Sequence, residues 1–98
     1  MSVLEIRRGK SLDKLLVSDY LDYREIKYTK LGNMNCSLDI YISPEDYLLN
    51  KYDIDSFAQV EYKRILNNYY ICFDEQLNVD FDKFRELCER IRSQYGRL

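Results

Sequence analysis

The chain has 98 residues and a formal net charge of −2, with ten tyrosines and neither histidine nor tryptophan. That length builds one domain around one core, and a chain 46% hydrophobic and 33% charged reads as globular, not disordered. The missing histidine excludes the usual serine triad and the commonest transition-metal ligand, and no aliphatic run exceeds Leu15-Leu16-Val17, so no membrane span is expected.

Ser2 to Arg8 is short, with Val3, Leu4 and Ile6 apolar, and predicts a strand. Its charges also argue against a signal peptide, so a cytoplasmic protein is expected. Ser11 is placed to cap a helix whose apolar positions are Leu12, Leu15, Leu16 and Tyr20, fading near Asp22. From Met34 to Ile42 the apolar residues Met34, Cys36, Leu38, Ile40 and Ile42 alternate with polar ones, the period of a half-buried strand. Arg24 to Lys30 alternates more weakly, and a three-residue loop, Leu31-Gly32-Asn33, sets Tyr28 opposite Cys36 and Ile26 opposite Leu38 with Asn33 left-handed.

Ser43-Pro44-Glu45-Asp46 reads as a helix start: a serine cap, proline in the first turn, and acids at the positive end of the dipole. Tyr47, Leu48 and Tyr52 supply its apolar face. Residues 56–68 fit a helix, with Ser56-x-x-Gln59 as a capping box and Ala58, Tyr62, Ile65, Leu66 and Tyr69 at helical spacing. The alternative is a hairpin turning at Asn67-Asn68. Tyr69 to Phe73 reads as a strand. Asp80 or Asp82 caps a last helix in which Phe84, Leu87, Cys88, Ile91 and Tyr95 share a face, closed by Gly96. The expected fold is a single α+β domain spanning 1–98, a small, mostly antiparallel sheet including hairpin 24–42, packed by three to four helices.

Charge is uneven along the chain. Residues 1–35 sum to +2, residues 36–82 to −7, and residues 83–98 to +3. Tyrosine offers a large amphipathic ring with few rotatable bonds, so an acidic middle rich in tyrosine points to binding, not catalysis. The expected site is a partner-binding face of Tyr41, Glu45, Asp46, Tyr47, Tyr52, Asp53, Asp55 and Tyr70. On this reading the protein is a small stoichiometric inhibitor or antagonist. Its partner is a larger protein such as a nuclease or another nucleic-acid-binding protein, and a homodimer through the same tyrosines is compatible. No catalytic residue, metal site or cofactor is assigned. Cys36, Cys72 and Cys88 form no Cys-x-x-Cys motif and read as buried reduced thiols.

Two alternatives carry specific residues. Glu61-Tyr62-Lys63 matches half of a metal-dependent PD-(D/E)xK nuclease pattern, with Asp39 or Asp46 as the upstream acid, provided residues 57–63 form a strand. Glu25-Ile26-Lys27 repeats the same short pattern, which lowers its weight. A C-terminal helix bearing Lys83, Arg85, Arg90, Arg92 and Arg97 could meet nucleic acid, but Glu86 and Glu89 stand one turn away to neutralise it. Asp53-x-Asp55 begins like a calcium loop but has Ala58 and Arg64 where glycine and glutamate are needed.

Overall fold

The computed structural model describes residues 15–34 and 36–95. The expected strand at residues 2–8, the Ser11 cap and the closing Gly96 lie outside them. In chain order the elements are α1 (Val17–Tyr23), β1 (Tyr28–Gly32), β2 (Leu38–Ile42), α2 (Pro44–Leu49), α3 (Lys51–Phe57), β3 (Glu61–Ile65), β4 (Asn68–Asp74) and α4 (Phe81–Tyr95). The strands form one antiparallel sheet in the order β1-β2-β4-β3. This is the expected α+β class.

Helix α1 starts later than the spacing suggests. Leu16 is extended, and its N–H donates to the Asp19 carboxylate at 2.8 Å, so Leu15 and Leu16 precede the helix. It ends where three bonds converge: Arg24 N–H to Tyr20 O, Glu25 N–H to Asp22 O, and Ile26 N–H to Leu21 O. Glu25 takes the left-handed backbone (φ 58°), and buried Ile26 packs back toward buried Leu21 in a Schellman termination.

The first hairpin keeps its predicted faces but not its register. Tyr28 lies opposite Ile42 and Gly32 opposite Leu38, so the loop runs from Asn33 to Ser37 instead of Leu31 to Asn33. The shift moves whole pairs of residues, so even-numbered side chains still face the helices. The longer loop arises because Asn33 is held by tertiary partners: its amide donates to Asp39 (3.1 Å) and Asp74 (2.5 Å), and its N–H bonds Ser37 O. Cys36, not Asn33, is left-handed (φ 60°). Met34 and Cys36 therefore leave the buried row; both are exposed, and only Cys72 and Cys88 are buried thiols.

The predicted helix over 56–68 is overturned. Helix α3 runs through Ser56, whose hydroxyl donates to Asp53 O, and the chain turns extended at Ala58 (φ −131°, ψ 143°). Ala58 bridges Val79, Gln59 N–H bonds Asn78 O, and Asp80 N–H bonds Phe57 O. Residues 61–65 then pair with 68–72 around Leu66-Asn67, with Leu66 left-handed (φ 56°). Good helix formers become strand here because their partners are distant in sequence, and tertiary pairing outweighs propensity. Tyr62 and Tyr69 consequently lie on an exposed hairpin instead of in the core.

The core lies between the helices and one sheet face. Ile40, Ile42, Ile71 and Phe73 from the sheet meet Tyr20, Leu21, Ile54, Phe57, Phe84 and Leu87 from the helices. Asp80 caps α4 by accepting from the N–H groups of Asp82 and Lys83, and Phe84, Leu87, Cys88 and Ile91 form its buried face as predicted. The opposite sheet face carries Asp39, Tyr41, Lys63, Tyr70 and Cys72.

Candidate protein-binding surface

Two short helices joined at Asn50 build the surface. Ser43 caps α2 by accepting from Asp46 N–H at 3.2 Å, and Pro44 occupies the first turn. Asn50 then breaks the helical phase: its N–H bonds Tyr47 O, its carbonyl accepts from Ile54, and its amide donates to Asp46 O at 3.0 Å. Each helix is too short to bury more than one narrow stripe, and that stripe is Tyr47, Ile54 and Phe57. The apolar residues out of phase are left in solvent. Leu48 is 62% exposed, Leu49 82% and Tyr52 80%. With Lys51, Asp55 and Ser56 they line a shallow depression of about 660 Å³.

The eight predicted residues do not form one face. Glu45, Asp46 and Tyr52 sit on the α2–α3 surface, with Glu45 and Tyr52 exposed. Tyr47 does not: its ring is 5% exposed, within the core, and only its hydroxyl reaches outward, donating to Asp55 at 2.6 Å. Asp53 is committed inward, accepting from the Tyr20 hydroxyl at 3.1 Å and Arg24 at 2.9 Å. Burial, then the Asp53 charge, pushes the Tyr20 phenol well above its usual range. Asp55 is bridged by Lys51 one turn earlier. Burial pushes the Asp55 carboxyl up, but the hydrogen bonds from Lys51 and Tyr47 outweigh it and hold the group below the ordinary carboxylate value. Half of the predicted acidic charge is therefore answered within the fold.

Tyr41 and Tyr70 lie on the far side of the sheet, away from the helices. They pack edge to face at 6.2 Å, with the Lys63 ammonium 6.0 Å from the Tyr41 ring and Cys72 buried between strands. They are half-buried, and Tyr52 is not among their neighbours. Leu48 and Leu49 replace them as the apolar partners of Tyr52. The signal for those leucines was the run Tyr47-Leu48-Leu49, since three consecutive apolar residues cannot share one helix face.

The nuclease pattern gains its strand but not its ligands. Glu61 and Lys63 share the far sheet face with Asp39, yet β4 separates β2 from β3 and the two acids lie two residues out of register, opposite Cys72 and Asp74, about 12 Å apart by strand geometry. Among the described residues no three acids or cysteines converge closely enough to hold a metal ion. On α4, Arg85 pairs with Asp82 at 3.6 Å, while Lys83 and Arg90 border a second depression beside Tyr52 and Ser56. No described helix is long and apolar enough to cross a membrane. Comparison with models of protein families, with curated proteins and with solved structures finds no match to this chain.

Proposed function

We propose that the protein is a protein-binding module that acts stoichiometrically, as an inhibitor or antagonist, by covering a site on a larger protein. One observation carries this reading: Leu48, Leu49 and Tyr52 are adjacent and each more than half exposed. Contiguous large apolar side chains at a water boundary mark interaction sites, and a rigid aromatic beside leucines is the composition of an interface centre. Glu45 and Asp46 form an acidic border that suits a basic partner, such as a nucleic-acid-handling enzyme. Because Asp53 and Asp55 already have cationic partners, the apolar trio supplies most of the affinity, and salt weakens binding only modestly.

Affinity capture from the native cell tests this. The triple variant Leu48→Ala/Leu49→Ala/Tyr52→Ala should recover roughly tenfold less partner or worse, since interface anchors each cost more than about 1 kcal/mol. Its thermal melt should barely move, because exposed side chains contribute little to folding. A Tyr41→Ala/Tyr70→Ala variant should bind as the wild type does. Equal recovery with all three proteins would remove this reading.

A further inference from the structure

We infer that β3 is a self-complementary edge that pairs antiparallel with β3 of a second copy, joining two sheets into one. β3 hydrogen-bonds only β4, so its other side is a free edge among the described strands. A two-residue turn makes Ile65 and Asn68 a hydrogen-bonded pair, so the ladder alternation aims the backbone groups of Tyr62 and Arg64 outward. Those are the groups a new strand would meet.

Charge selects both the partner and the register. Side chains facing one another across an antiparallel join must lie on the same sheet face, which leaves only registers pairing odd with odd and even with even. Centring the join on Lys63 sets two ammonium groups against each other, and centring it on Glu61 sets two carboxylates together. Centring it on Tyr62 places each Glu61 opposite Lys63 of the second copy, twice over. Tyr62 then meets Tyr62 of the second copy across the two-fold axis, on the face where its ring is now 63% exposed. Glu61–Lys63 becomes a non-hydrogen-bonded pair, the geometry that brings facing side chains closest. Charges on an edge usually block such pairing. Here opposite signs two residues apart permit one register and reject its neighbours. The other edge, β1, has Lys30 as its lone charge and offers no such reciprocity.

Sedimentation of the full chain over a concentration series tests the inference. The wild type should form a dimer that salt weakens. Glu61→Lys and Lys63→Glu should each dissociate it by roughly tenfold or more, because each puts like charges opposite one another at both ends of the join. An equimolar mixture of those two variants restores both pairs and should form a heterodimer, and the double variant Glu61→Lys/Lys63→Glu should dimerise like the wild type. Circular dichroism identifies any single variant that misfolds, in which case the double variant still decides. The α2–α3 triple variant should dimerise normally, which separates this inference from the proposed function. A wild type that stays monomeric throughout overturns the inference. So do single variants that dimerise unchanged, or a mixture that stays monomeric.

Discussion

Phe57→Ala is expected to cost about 3–5 kcal/mol, a large share of the roughly 5–15 kcal/mol that holds a domain together. Phe57 is 2% exposed and makes two edge-to-face contacts, 5.7 Å from Tyr20 and 5.1 Å from Phe84, in a triangle closed by the Tyr20–Phe84 contact at 6.4 Å. These rings come from α3, α1 and α4, so one cluster ties three helices together. Truncation leaves a cavity whose lining comes from separate elements and cannot close without moving them. A thermal melt followed by circular dichroism should shift down by about 20 °C, taking about 4–8 °C per kcal/mol. Phe57→Leu, which keeps most of the volume, should lose far less. A melt unchanged in Phe57→Ala would mean that the helices are held elsewhere.

Asp74→Asn is expected to destabilise the protein by about 2 kcal/mol at neutral pH and by almost nothing in acid. Asp74 joins two loops on the far side of the sheet. One carboxylate oxygen accepts from the Ser37 hydroxyl and the Asn33 amide, both at 2.5 Å, and the other accepts from the N–H groups of Gln76 (2.8 Å) and Leu77 (2.6 Å). Burial alone would raise this carboxyl, but the four donors outweigh it and hold the group below its ordinary value. The sign follows from linkage. A carboxyl lowered on folding adds stability that is fully present above the unfolded value, about 4, and is lost as pH falls through the folded value. Urea unfolding at pH 7 and near pH 3 should show the gap between wild type and variant closing. A gap of equal size at both pH values would show that charge at Asp74 is irrelevant.

Features set by neighbouring residues were legible in the sequence. The Ser43-Pro44 start, the Asp80 cap, the buried stripe of α4 and the Ile40/Ile42 alternation each need only a few adjacent side chains to specify them. What was not legible depends on partners far along the chain. β3 is a strand because β4 lies beside it, and Asn33 fixes the first hairpin's loop through Asp74, 41 residues away. The candidate site was half legible for the same reason. Tyr52 and the acids near it were identifiable from composition, whereas the exposure of Leu48 and Leu49 depends on the phase break at Asn50. Tyr47 was expected at the surface because a tyrosine ring suits both a core and an interface, and only the placement of the helical layer decides between them; Tyr41 does face away from the buried row of its strand, as its alternation predicts.

The proposed binding function rests on the outward-facing trio of α2 and α3, and photo-crosslinking in the native cell probes it one position at a time. A photoreactive phenylalanine replacing Leu49 should yield a single covalent adduct with a larger protein, while the same group replacing Tyr41, on the far sheet face, should yield none. Crosslinking from position 41 with silence at position 49 would contradict it and move the contact surface to the other side of the molecule.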